Sequence, residues 1–345
     1  MTQRCFIIAE AGVNHNGSIE MALELIDVAA HAGADAVKFQ TFKAEQLARP
    51  GANKAEYQHQ GGDEGEDQLA MLKRLELQES AYPKLIERCN SLGIEFMSTP
   101  FDQDSATFLT ALGMKKIKVP SGELTNLPFL QYLASSRLPI ILSTGMSTLE
   151  EVSEAVETIK SSWLKFDIQH DEYLTLLHCT SNYPAQPQDV NLRAMATLRE
   201  RFSLSVGYSD HTLGTTVAVA AAALGAAVIE KHFTLDCTHE GPDHKASLTP
   251  SELANMVSQI RMVELALGNG DKIPRESELP IRDVARRSVT LTRAVKAGEK
   301  ITPQMLSLLR PGNGIAPKHL NDITGMKSVR DLAAWTTLTW DDVSL

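Results

Sequence analysis

The chain has 345 residues, 43% of them hydrophobic and 22% charged, with a formal net charge of −10. That composition supports a globular core and excludes a disordered chain, and the acidic balance excludes a general nucleic-acid binder. The longest apolar run, 217–229, has 13 residues, is interrupted by Gly225, and is too short to span a bilayer.

In chain order, the N-terminus has neither an extended apolar stretch nor a cleavage pattern before its first acidic residue, so no signal peptide and a cytoplasmic location are expected. Four scattered cysteines, without a C-x-x-C pair, argue for neither a disulfide framework nor a zinc knuckle. Short β-rich runs then alternate with helical patterns. Strands are expected at 6–9, 36–40, 94–97, 116–119, 140–142, 174–178, 204–207 and 227–230. Helical periodicity marks 19–32, 81–92, 149–161, 192–201, 215–224 and 250–267. Capping boxes are expected from Ser147 to Glu150 and from Thr249 to Glu252. Eight such units within residues 1–270 match a (β/α)₈ TIM barrel, an α/β fold. The rival is a doubly wound open sheet. No G-x-G-x-x-G follows the first strand and no P-loop occurs, which favours the barrel.

Residues 271–284 read as a linker, with Gly, Pro and charges but no apolar period. Residues 285–345 read as a small β-rich module, of a size that gains from docking on something else. Its charge is +4, against −14 for the rest. Such a tail could meet an anionic substrate or the body of a neighbouring subunit; chance variation on solvated faces accounts for the numbers equally well.

Barrel enzymes do their chemistry at the C-terminal ends of the strands. Those ends carry Glu10 and Asn14-His15, then Lys38 and Gln40, Ser98-Thr99, Lys118 with Ser121 and Glu123, Ser143, Ser181-Asn182-Tyr183, Ser209, His211, Glu230 and His232. Five consecutive strands end in serine. One serine is best read as a helix cap, whereas five with two lysines point to an anion site. Lys38 sits in an apolar strand where a solvated lysine is unexpected. Lys118 follows a short charge run and could be merely solvated. Either lysine could instead form a Schiff base, as in barrel aldolases. His211 and His232 end neighbouring strands, about 4.8 Å apart, so one divalent metal could join them, with Glu10, Glu230 and Asp243 nearby. Either histidine alone would be read as hydrogen-bonded into a loop. Histidines 31, 59, 170, 239, 244 and 319 show no such pairing, and His178 reads as a core or supporting residue.

The segments AEAGVNHNG (9–17), GADAVKFQTF (33–42), STPFD (98–102), KVPSGE (118–123), PIILSTGM (139–146), LLHCTSNYP (176–184), GYSDHT (207–212), IEKHFT (229–234), GPDHKAS (241–247) and RPGNG (310–314) run in order along the chain. Together they resemble the sialic acid (nonulosonic acid) synthases, which condense phosphoenolpyruvate with an N-acylated mannosamine-type sugar aldehyde. The resemblance implies a barrel followed by an antifreeze-like (SAF) domain, in a domain-swapped homodimer. It implies that His211 and His232 bind Mn²⁺, with Mg²⁺ or Co²⁺ as alternatives. Lys38, Lys118, Ser121, Ser143, Ser181 and Ser209 would hold phosphoenolpyruvate; relatives carry Asn at the Ser181 position, so Asn182 competes for that contact. Glu10, Tyr183 and Asp243 would bind the sugar, and Arg310 of a partner chain its acyl group. Glu123 fits an acid/base role, and Gln40 one in positioning water or ligand. The expected reaction turns N-acetylmannosamine into N-acetylneuraminate. The alternative is a legionaminate synthase acting on 2,4-diacetamido-2,4,6-trideoxymannose; the stretch 55–77 and GPDHKAS resemble the bacterial branches making either product, while the pseudaminate branch differs around Asn14-His15 and Gly241-Pro242. A shorter synthase with a sugar-phosphate acceptor would need a further Arg/Lys cluster that is not found. A Schiff-base aldolase would be trapped by borohydride. An inactive barrel carrying an ice- or glycan-binding tail would need a broken site.

Overall fold

The computed structural model describes residues 4–55, 66–168 and 173–345. His59, His170 and positions 56–65 of the 55–77 stretch lie outside the described residues. The chain divides into two compact units, one ending at Asn269 and one beginning at Gly270. Among the described residues, no helix is long and apolar enough to cross a membrane.

In the first unit the strands are β1 (Phe6–Gly12), β2 (Ala36–Thr41), β3 (Glu95–Pro100), β4 (Ile117–Val119), β5 (Ile140–Ser143), β6 (Leu174–Cys179), β7 (Ser205–Asp210) and β8 (Val228–His232). All the strands expected from the sequence are present, and most run further at their C-terminal ends. β1 pairs in parallel with both β2 and β8, and parallel ladders join β2 to β3 and β4 through β8. β3 lies beside β4 and completes the round. The architecture is therefore a barrel, not an open sheet.

The helices are α1 (Ile19–His31), α2 (Ala44–Leu47), α3 (Gln68–Leu75), α4 (Tyr82–Leu92), α5 (Gln103–Ala111), α6 (Leu127–Ser135), α7 (Leu149–Leu164), α8 (Pro187–Val190), α9 (Ala194–Phe202), α10 (Thr216–Ala223) and α11 (Pro250–Leu267). The box on α11 is where the sequence places it, Thr249 with Glu252. The box on α7 lies one residue later than expected, Thr148 with Glu151. Thr148 has the extended backbone a cap requires, whereas the Ser147 hydroxyl donates to Gly145 O at 3.2 Å.

Side chains alternate along the strands with period two. One set (Ile7, Val37, Phe39, Val119, Leu142, Leu176, Val206, Ile229) packs against the helices. The other (Ile8, Ala36, Met97, Ile141, Leu177, Val228) fills the barrel interior. A Cβ on Gly207 would come within 2.3 Å of Val228 O, so glycine lets β7 close against β8.

The second unit opens with α12 (Leu279–Ala285), inside the segment read as linker; seven residues beginning Leu-Pro are too few to show a helical period. Beyond it β9 (Ser288–Leu291) pairs antiparallel with β10 (Leu306–Leu309), α13 spans Leu320–Ile323, and β11 (Lys327–Ser328) pairs with β12 (Val343–Ser344). Val289, Leu291, Val295, Ile301, Ile315 and Leu338 give this unit its own core.

Polar side chains stitch the loops after β1 and β8 of the barrel together. Asn14 Nδ2 donates to Phe233 O at 2.8 Å and to Ser247 Oγ at 2.9 Å, and His15 Nδ1 accepts from Gly17 N at 3.0 Å. Burial pushes the His15 imidazole down to about 4. Because its folded value lies below that of the unfolded chain, stability is complete above about pH 6.5 and declines as pH falls toward 4, by up to about 3 kcal/mol. Urea unfolding from pH 7.5 to 4.5 should show that decline, and His15→Asn should flatten it; an identical pH slope in the variant contradicts the assignment.

Candidate active site

Two residues beyond five of these six interior apolar side chains the same row turns polar, and beyond Leu177 stands the Cys179 thiol. Ile8 is followed by Glu10, Ala36 by Lys38, Met97 by Thr99, Ile141 by Ser143, and Val228 by Glu230. Lys118 projects inward from β4, and Ser209 follows Gly207 on β7. These residues line the base of a cavity of about 430 Å³ at the C-terminal ends of the strands, as the sequence leads one to expect.

Charge is concentrated there. Lys38 Nζ lies 2.7 Å from Glu10 Oε2 and 3.6 Å from Glu230 Oε2, and donates to Thr99 Oγ1 at 2.8 Å. Lys118 Nζ lies 3.5 Å from Glu230 Oε1 and donates to Ser143 Oγ at 2.8 Å. Ser209 Oγ donates to Glu230 Oε1 at 2.8 Å. Burial raises the Glu10 carboxyl against the opposing pull of Lys38. For Glu230 burial is outweighed by Lys118 and Lys38, which hold it below the usual carboxylate range. Burial also works against the Lys38 ammonium, but Glu10 and Glu230 outweigh it and hold Lys38 above its ordinary value. Lys118, with less compensation, is pulled down by burial. Lys38 is thereby kept cationic, suited to an anion and unsuited to imine formation.

Beside the lysines is a hydroxyl-lined hollow. Gly145 N donates to Ser121 Oγ at 3.0 Å, and the Cys179 thiol lies 3.1 Å from the same oxygen. A Cβ on Gly145 would come within 2.3 Å of Ser181 Oγ and 2.8 Å of Ser121 Oγ. Glycine thus leaves small hydroxyls and a bare backbone where an oxyanion can approach.

His211 and His232 face the same cavity, with ring centroids 5.9 Å apart. His211 Nδ1 donates to Thr180 O at 2.7 Å, which leaves Nε2 as an acceptor, 3.0 Å from the Tyr183 hydroxyl. His232 Nδ1 is buried without a hydrogen bond, 3.9 Å from Asp243 Oδ2. Burial lowers both histidines, in His232 with His211 adding to the effect, and raises the Asp243 carboxyl to about 6. Two neutral imidazoles, His232 with an unpartnered Nδ1 and His211 oriented by a carbonyl with Nε2 turned to the Tyr183 hydroxyl, fit a divalent ion of the Mn²⁺ type. Among the described residues no group of three or more His, Cys, Asp or Glu forms a ready metal site.

The loop bearing His211 is held from the helix side of the wall by a buried pair that the sequence reading does not single out. Lys231 Nζ lies 2.9 Å from Asp210 Oδ2, both side chains fully buried, and also donates to Thr212 O. Asp210 Oδ1 accepts from Thr212 N at 2.9 Å and from its hydroxyl at 2.8 Å. The residues flanking His211 are thus fixed to one ion pair. The signal lies in strand parity: Asp210 and Lys231 are register partners one position off the inward row.

Gln40 joins the cavity, with Nε2 at 3.4 Å from Glu10 Oε1, and Tyr183 and Asp243 line it. The structure places three further candidates as follows. Ser98 does not face the cavity; its hydroxyl lies 2.7 Å from Thr41 Oγ1 on the helix side, and Thr99 takes the inward position. Between Ser181 and Asn182, Ser181 lines the cavity, while Asn182 lines a neighbouring depression and accepts from Tyr183 N. Glu123 stands outside the lining and accepts from Asn126 Nδ2 at 2.8 Å. Arg310 is exposed just after β10 of the second unit.

Known proteins resemble the chain over nearly its whole length. Residues 25–272 match the NeuB family and residues 286–344 the SAF domain. The chain is 54% identical to the N,N'-diacetyllegionaminic acid synthase of Legionella pneumophila, covering 98% of this chain and 94% of that one. Identity to the N,N'-diacetyllegionaminic acid synthase of Campylobacter jejuni is 46%, covering 94% and 95%. A crystal structure of the N-acetylneuraminic acid synthetase of Leptospira borgpetersenii in complex with citrate matches with a TM-score of 0.70 at 35% identity, covering 81% and 90%.

Removing one member of the Asp210–Lys231 pair leaves a buried uncompensated charge, at a cost of about 3–5 kcal/mol. Lys231→Met should therefore melt several degrees lower, and adding Asp210→Asn should recover part of the loss. A Lys231→Met protein that melts like the wild type contradicts this role.

Proposed function

The chain belongs to the NeuB family, and we propose that it is a metal-dependent nonulosonic acid synthase that joins phosphoenolpyruvate to 2,4-diacetamido-2,4,6-trideoxymannose and releases phosphate. One observation carries the reading: two buried lysines and a hydroxyl-lined hollow share a single cavity with two neutral, inward-facing histidines. The acceptor assignment is supported by 54% and 46% identity to two diacetyllegionaminate synthases. N-acetylmannosamine is the second reading, supported by 35% identity to a sialic acid synthetase.

In this reading Lys38 and Lys118, with Ser121, Ser143, Ser181 and Ser209, bind the carboxylate and phosphate of phosphoenolpyruvate. His211 and His232 would hold the divalent ion, Mn²⁺ or in its place Mg²⁺ or Co²⁺, which supplies Lewis-acid polarisation of the sugar's aldehyde oxygen. The cradle presents C3 of phosphoenolpyruvate to the aldehyde carbon, so that the new C–C bond leaves cationic character at C2. Glu10 and Glu230 are placed to stabilise that charge, and Glu10 to move the proton of the water that adds there. Phosphate then departs from C2 with C–O cleavage, and the protonated side chains of the cradle hold it as it leaves. Tyr183, Gln40 and Asp243 border the sugar. Arg310 would reach the acyl group from a partner copy in a domain-swapped homodimer.

The test is phosphate release from phosphoenolpyruvate with Mn²⁺, using each sugar with and without EDTA. Expected is turnover that EDTA abolishes, faster with the diacetamido sugar, and no borohydride trapping of Lys38 or Lys118. EDTA-insensitive turnover or a trapped lysine contradicts the mechanism; silence with both sugars contradicts the activity.

A further inference from the structure

The cavity has two chemically different walls. Around the barrel, Lys118, Ser121, Ser143, Ser181 and Ser209 come from β4 through β7, and the histidines from β7 and β8. Among the described residues, the segments after β1, β2 and β3 line the opposite wall with carbon: Val13, Leu47 of α2, Met71, Leu72 and Leu75 of α3, and Phe101. Val13, Met71, Leu72 and Leu75 form a small core with Phe42, Ala44 and Ala48, against which Leu47 and Phe101 pack. The wall is therefore rigidly backed. Among the described residues of these segments one amide interrupts it: half-buried Gln68, three residues before Met71 and so on the same helical face.

Sugar hydroxyls turned toward such a wall would lose their water partners and gain none, whereas methyl groups lose nothing by burial there. If the acceptor's aldehyde lies at the histidines and the donor occupies the β4–β7 side, the far end of the sugar points at α2 and α3. From this placement, which rests on the synthase reading above, we propose that the α2–α3 wall selects the acceptor. It takes the C6 methyl and the second acetamido methyl of a 2,4-diacetamido-6-deoxy sugar, with Gln68 hydrogen-bonded to that acetamido amide. The same wall disfavours a sugar bearing hydroxyls at C4 and C6.

The experiment measures kcat/KM for both sugars with the full-length protein and Mn²⁺, in the wild type and in Met71→Gln. Leu47→Gln, at a half-buried position, is the second variant should the first fail to fold. Expected is a roughly tenfold or greater loss for the diacetamido sugar, the usual range for misplacing polarity against one alkyl group. The value for N-acetylmannosamine should stay within about threefold and the KM for phosphoenolpyruvate should not move, so the preference itself collapses. Folded variants that slow both sugars by the same factor, or leave the ratio unchanged, overturn the proposal. A wild type that prefers N-acetylmannosamine overturns it while leaving the synthase reading intact; a wild type that turns over neither sugar removes both.

Discussion

Two ammonium groups and two carboxylates share the base of a cavity with almost no access to water, and each is tolerable only because of the others. Lys38 bridges Glu10 and Glu230, and Lys118 meets Glu230 from the other side. A buried charge without partners costs several kcal/mol, and removing one member of such a set leaves its partner exposed to that cost. The set is therefore fixed as a unit, and the barrel supplies the fixed points: four strands deliver the four groups to one place. An incoming anion finds the positive charge already desolvated and oriented, which is the condition under which electrostatic stabilisation is strongest.

The same geometry explains why apolar and polar chemistry can coexist within one barrel. A shift of two residues along a strand keeps a side chain in the same row but moves it up one layer. Ile8, Ala36, Ile141 and Val228 close the interior below, and Glu10, Lys38, Ser143 and Glu230 work above them. A shift of one residue sends a side chain to the helix side, where Asp210 and Lys231 steady the loop carrying His211. Function at the mouth and support behind it are thus written in alternating positions of the same short strands.

Much of this was legible in the sequence. The strands, the long capped helix α11, the paired histidines and the misplaced lysine of β2 follow from residue pattern, whereas Lys118, after a short charge run, reads equally as solvated until the structure buries it. What the pattern does not decide is register. Ser98 and Thr99 are equivalent as a string, and only the pleat assigns Thr99 to the cavity and Ser98 to the helix side. Ser147 and Thr148 are both able to cap, and the backbone angle chooses Thr148. The resemblance gives Glu123 an acid/base role, whereas the turn after β4 turns its carboxylate to Asn126. Glu230, central to the charge set, reads in the sequence only as a neighbour of the histidines, since a lone acid in a strand signals nothing until its partners are placed. The carbon wall of α2 and α3 is illegible for the same reason: its residues read as ordinary core, and they are core, on one side.

In the proposed reaction the buried lysines form the binding site for phosphoenolpyruvate. Calorimetric titration of phosphoenolpyruvate into the wild type, Lys118→Gln and Glu123→Gln tests it directly. Expected is binding weakened about tenfold or more in Lys118→Gln, through loss of a charge-assisted contact, and wild-type binding in Glu123→Gln. Unaltered affinity in a folded Lys118→Gln protein contradicts the claim.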